Sequence, residues 1–287
     1  MKLLHTADWH LGHTFYGYDR QEEHQHFLNW LLQTVSEQQP DALLLSGDIF
    51  DSPFPSAKAE QIFYDFLCQI TQENKGIQII FTGRSHGSAA RLDIAGSLLC
   101  HLGISIRNFV KHNHTNHPDF ENLLIPITSR TNSDEKIVVL AVPFLQSNDY
   151  CEGNTTSQRT YLFIHELEKV ARNKFGKDIP LVVMTHFSNA DAKSEKDHPI
   201  QENFDWPNTA NKFSYIALDG SPISETVGNC ENVRYTASPL PLSFSEMPHA
   251  YVPEDLTTNH KKYEDPIRLY FQKNYDETTW HDREYLR

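Results

Sequence analysis

Apolar residues recur along this chain as short solid runs separated by longer stretches with helical spacing, the alternation expected of an α/β protein. Residues 2–7 (Lys2-Leu3-Leu4-His5-Thr6-Ala7) and 42–46 (Ala42-Leu43-Leu44-Leu45-Ser46) read as buried strands. Between them, Phe27, Trp30, Leu31, Thr34 and Val35 mark the inner stripe of a helix over about 19–38, stopped by Pro40 and Asp41. Ser56 is placed to N-cap a second helix running to about residue 73, with Ile62, Phe63, Phe66, Leu67 and Ile70 facing inward. Residues 77–82 form a third strand. Three strand–loop–helix units in a row predict parallel pairing through right-handed crossovers.

The second half repeats the pattern less regularly. A helix over 94–102 ends at Gly103, and a strand starts at Ile104. Strands over 123–127 and 136–143 are joined by the turn at 131–134. A helix over 157–175 turns Tyr161, Ile164, Leu167, Val170 and Ala171 inward, and strands follow at 180–186 and 212–218. Residues 188–211 are polar and acidic, as in a surface loop or lid, and the alternation Ile267, Leu269, Phe271 suits a strand.

Composition narrows the possibilities. The chain has 287 residues, a hydrophobic fraction of 39%, and a net charge of −13. That charge argues against a generic nucleic-acid coat, whose grip on phosphates needs clustered Lys and Arg. It leaves room for an enzyme that borrows positive charge from metal ions. No apolar run is long enough for a membrane span, and the chain enters a strand without a signal-peptide pattern, which points to the cytoplasm. Cys68, Cys100, Cys151 and Cys230 form no C-x-x-C pair and read as reduced thiols.

The chemistry lies at the strand ends. Asp8 and His10 follow the first strand, and Asp48 follows the second within Gly47-Asp48-Ile49-Phe50-Asp51. Ligand sites in open α/β sheets form beyond the carboxyl ends of strands. A single Asp there often just caps a turn; D-x-H and G-D-x-x-D together weaken that alternative. Oxygen and imidazole donors suit Mn, Fe or Zn, and a carboxylate such as Asp48 can bridge two ions. His186 ends a further buried strand in the same manner.

Residues 5–12 (HTADWHLG) and 43–56 (LLLSGDIFDSPFPS) closely resemble the first two motifs of the SbcD-type nuclease subunits, a branch of the calcineurin-like metallophosphoesterases. Ser88-Ala89-Ala90-Arg91-Leu92 and the stretch 235–246 resemble them too. The resemblance implies a four-layer α/β/β/α sandwich of two mixed sheets over residues 1–247, with 248–287 a truncated or reduced accessory segment. It implies a DNA phosphodiesterase, exonuclease or hairpin endonuclease, using two divalent ions, Mn foremost. Asp8, His10, Asp48 and His186 would be metal ligands, His86 would act at the leaving oxygen, and Arg91 would contact substrate. The implied partners are DNA and an SbcC-type SMC-like ATPase, with a possible homodimer and no membrane.

Two motifs depart from the family pattern. Where the family has Gly-Asn-His-Asp-Ser, this chain has Gly83-Arg84-Ser85-His86-Gly87-Ser88; where it has Gly-His-x-His, this chain has Asp219-Gly220-Ser221-Pro222. Losing the Asn and two imidazoles predicts reduced metal occupancy and rate. The alternative is a pseudo-nuclease that serves as a binding subunit of the same ATPase.

Overall fold

The structure is a computed structural model that describes residues 1–83, 87–150, 153, 155–185, 209–219, 224–227, 229–243 and 268–271; for 87–91, 156–157, 225 and 268–271 it describes the backbone alone. Two sheets stack face to face. The first runs β13 (Arg268–Phe271), β1 (Lys2–Ala7), β4 (Ala42–Ser46), β5 (Gln78–Thr82), β6 (Ile104–Arg107), every neighbour parallel. Helices α1 (Gln21–Gln38), α2 (Ala57–Glu73) and α3 (Gly87–Leu99) make its crossovers. A hairpin of β2 (Thr14–Phe15) and β3 (Tyr18–Asp19) sits between β1 and α1.

The second sheet has the order β11 (Glu225–Val227), β12 (Cys230–Tyr235), β10 (Tyr215–Leu218), β9 (Leu181–Thr185), β8 (Lys136–Ala141), β7 (Leu124–Thr128). Its inner four strands are parallel, its two edges antiparallel, and α4 (Thr156–Phe175) connects β8 to β9. The second sheet is mixed, and the first is wholly parallel among the described residues. Each of its connections from β1 to β6 passes through a helix, and only a crossover of that length returns the chain in the same direction.

Strands buried on both faces explain the solid apolar runs. Alternate residues point to opposite sides, so Leu43 and Leu45 meet Phe27, Leu31, Phe63 and Phe66 of the helices, whereas Leu44 meets the other sheet. Leu3, Leu44 and Ile80 pack there against Ile127, Val139, Val182 and Met184. On the far face, Phe163, Ile164, Leu167 and Ala171 of α4 cover Val138, Leu140, Val183 and Ile216. The layers are α/β/β/α.

Some local readings shift. Helix α1 starts at Gln21 because Asp19 is committed to the hairpin, where its Oδ1 accepts the Gln21 N–H at 2.9 Å. Its buried face includes Leu28 and Leu32, and Trp30 and Thr34 are only partly covered. Helix α3 begins seven residues earlier than expected, and residues Cys100–Leu102 tighten into a 3₁₀ turn before Gly103 at φ +77. In α4, Phe163 is buried and Tyr161 is outside, stacked on His165. Ser56 caps α2 as expected, accepting the Ala59 N–H at 3.2 Å.

Candidate metal centre

The ends of β1 and β4 stay zipped beyond the sheet. The Asp8 N–H donates to Ser46 O (3.1 Å), His10 N–H to Asp48 O (3.1 Å), and Leu11 N–H to Ile49 O (2.8 Å). This register sets the D-x-H segment beside the G-D-x-x-D segment. Asp8 and His10 both take left-handed backbone, φ +48 and +45, a conformation non-glycine residues rarely hold unless their surroundings impose it. Here the Asp8 Oδ1 accepts the Asp48 N–H at 3.1 Å, and the Ser238 hydroxyl donates to the Asp8 carbonyl at 2.6 Å.

Gly47 is the hinge of the site. At φ +82 it donates its N–H to Thr82 O, and a Cβ added there would lie 2.1 Å from Asp8 Oδ1 and 2.8 Å from Asp219 Oδ2. The two carboxylates therefore flank one glycine, and Asp219, at the end of β10, is fully buried. Gly83 plays a similar part at β5: its missing side chain leaves room for the buried Asn108, whose Oδ1 would be 2.4 Å from an added Cβ.

His10 Nδ1 lies 3.4 Å from Asp51 Oδ1. Burial alone would pull the imidazole down, but the Asp51 contact and the charges of Asp8, Asp48 and Asp51 outweigh it and hold His10 above the ordinary histidine value. Burial likewise pushes the Asp51 carboxyl up, and the neighbouring His10, His13 and His24 bring it below the usual range. A carboxylate behind an imidazole fixes the ring and leaves the other nitrogen for a ligand. The G-D-x-x-D spacing carried that information, although the sequence reading assigned Asp51 no role.

Beneath the site a second polar group went unread. His5 sits wholly between the sheets, with Nδ1 2.8 Å from Thr236 Oγ1 and 3.1 Å from Tyr215 Oη, and Nε2 3.1 Å from Ser46 Oγ. Burial pushes its imidazole down to about 3, so it is neutral, and pushes the Tyr215 phenol up. It ties β1, β4 and β10 together just before each delivers Asp8, Asp48 and Asp219.

Of the residues expected at the site, Asp8, His10 and Asp48 are brought together. His86 and His186, and the side chain of Arg91, lie outside the described residues, as do Gly220, Ser221 and Pro222 of the altered last motif. The donor set suits a divalent cation in kind, since the Asp8 and Asp219 carboxylates flank the Gly47 cradle and the His10 imidazole follows Asp8 on the same strand end. Among the described residues, no three His, Cys, Asp or Glu side chains already stand together as a ready-made ion site, and two of the expected site residues, His86 and His186, fall outside them.

The family model for the calcineurin-like phosphoesterases matches residues 1–218, which include strands of both sheets and the strand ends carrying Asp8 and Asp48: the chain belongs to that family. Its members generally are dinuclear metal enzymes. Within it the chain is SbcD-like. It is 30% identical over 267 residues to the D subunit of nuclease SbcCD from Rhodobacter capsulatus, covering 86% of this chain and 64% of that protein. Against the Escherichia coli K12 protein of the same name the values are 28% over 261 residues, 86% and 62%. Against that of Bacillus subtilis they are 27% over 263 residues, 87% and 64%. The chain thus spans less than two thirds of the length of these relatives. Among the described residues no helix is long and apolar enough to cross a membrane.

Proposed function

We propose that this chain is the phosphoesterase part of an SbcD-like nuclease subunit, hydrolysing DNA phosphodiester bonds in company with an SbcC-type ATPase. The observation that carries the reading is the joining of Asp8 to Asp48 across two strand ends by the Asp48 N–H to Asp8 Oδ1 bond, with His10 alongside. Asp8, His10 and Asp48 would hold one divalent ion, and Asp48 with His186 a second, Mn being the first candidate. Bound there, the ions would activate water and offset charge on the scissile phosphate. Asp51 holds the His10 ring, Ser238 holds the Asp8 carbonyl, His86 is assigned to the leaving oxygen and Arg91 to substrate.

A second copy of the chain has a place to dock. Helix α3 and its 3₁₀ extension expose Ile94, Leu98 and Leu102 at four-residue spacing. Between residues 92 and 102 only Asp93 carries a formal charge, so two strongly acidic copies meet there with little repulsion.

A binding subunit without hydrolysis is the second reading, favoured by the departures from the family motifs at residues 83–87 and 219–222. Metal uptake and Mn-dependent cleavage of linear and hairpin DNA separate the two. Cleavage lost in Asp48→Ala and His10→Ala supports the enzyme. No uptake and no cleavage, with ATPase binding intact, supports the binding subunit.

A further inference from the structure

The β2–β3 hairpin, entered directly from the Asp8–His10 segment, carries exposed aromatic rings. Tyr16 is 66% exposed and Tyr18 60%, and Phe54, on the loop after Asp51, is 79% exposed. The turn is a two-residue one with Tyr16 at φ +49 and Gly17 at φ +90, a type I′ geometry that favours Asn or Gly at its first position. A bulky tyrosine there is conformationally costly, and such costs gather at functional positions.

The rings stand on a rigid base. Tyr16 meets the buried Phe15 edge-on at 5.0 Å, and the Arg20 guanidinium lies 5.1 Å from the centre of the Phe15 ring. Arg20 is itself fixed by Glu23 (2.9 Å) and by the Pro241 carbonyl (2.5 Å), on the segment whose Ser238 holds Asp8. On the other side, Lys58 Nζ lies 3.7 Å from Asp19 Oδ2, joining the hairpin to the first turn of α2 just beyond Phe54. Residues 11–19 and 52–56 contain no Lys or Arg, and the nearby Lys58 is paired with Asp19. What this surface offers is faces of rings.

We propose that Tyr16 and Tyr18, flanked by Phe54, form a stacking platform for an unpaired base of a nucleic-acid strand, adjoining Asp8, His10 and Asp48. The inference rests on the DNA reading above and narrows it to strands with unstacked bases, such as frayed ends and hairpin loops. Aromatic–base stacking is sequence-tolerant, because every base presents a π-face.

Fluorescence anisotropy with the full chain in EDTA, so that no strand is cut, tests it. The probes are a labelled oligothymidylate and an abasic strand of equal length. The platform predicts that the thymidylate strand binds about fivefold tighter or more. Tyr16→Asn with Tyr18→Ala brings the two affinities together while the melting temperature holds, because Asn suits the left-handed turn. Tyr16→Phe with Tyr18→Phe keeps the preference. Equal affinities in the unsubstituted chain, or a preference that survives Tyr16→Asn/Tyr18→Ala, overturn the platform. Cleavage of both strands with Mn, alongside equal affinities, overturns the platform and leaves the phosphodiesterase standing. Absence of both binding and cleavage overturns both.

Discussion

Replacing Gly47 by alanine tests the packing of the site most sharply. The added methyl would sit 2.1 Å from Asp8 Oδ1, 2.9 Å from Asp8 Cγ and 2.8 Å from Asp219 Oδ2, on backbone at φ +82. The left-handed backbone costs an alanine about 1–2 kcal/mol. Relieving the contact requires Asp8 to turn away, breaking its bond to the Asp48 N–H, and overpacking of this kind costs about 1–3 kcal/mol more. Gly17→Ala is the matched control, since it has φ +90 with nothing within 4 Å of the added atom and so carries the backbone cost alone. Gly47→Ala should therefore lose about 2–5 kcal/mol, against about 1–2 kcal/mol for Gly17→Ala. Urea titration of the two variants in parallel reads the difference, and Mn affinity of Gly47→Ala should fall with it. Equal destabilisation of the two would refute the reasoning, because Asp8 and Asp219 would then be free to yield.

Other outcomes follow from particular contacts. Burial holds His5 at about 3, well below the unfolded value near 6.5, so its contribution is full above that value and is lost as pH falls. Stability should drop by about 1.4 kcal/mol for each pH unit below 6.5 down to the folded value, and His5→Gln should flatten that acid limb in denaturation midpoints. His5→Phe would strand Tyr215, Ser46 and Thr236 at the interface of the sheets, costing about 1–3 kcal/mol for each polar group left unpaired. Docking of two copies through α3, as proposed, predicts a dimer mass in light scattering for the unsubstituted chain and a monomer mass for Leu98→Glu, with the melting temperature unchanged.

Much of the layering was legible in the sequence because solid apolar runs and helical stripes report burial directly. Asp8, His10 and Asp48 were legible because a strand end is where α/β chemistry gathers. What escaped were features with no periodic signature. His5 sits inside an apolar strand and reads as a polar interruption until Tyr215 and Thr236, more than 200 positions away, close around it. Ser238 acts through its contact with the Asp8 carbonyl, which no local pattern announces. The parallel pairing of the first sheet, by contrast, was legible, because the run of strand–loop–helix units requires crossovers, and a crossover returns the chain in the same direction. Asp219 was seen as a departure from a motif, but its burial against Gly47 depends on β10 of one sheet packing over β4 of the other.

The central claim is that Asp8, His10 and Asp48 grip a divalent cation together. Manganese titration followed by electron paramagnetic resonance, on the unsubstituted chain and on Asp48→Ala, addresses it without relying on catalysis. The claim predicts saturable Mn binding that Asp48→Ala abolishes or weakens by orders of magnitude. Binding that is absent from the start, or identical in the two proteins, would contradict it.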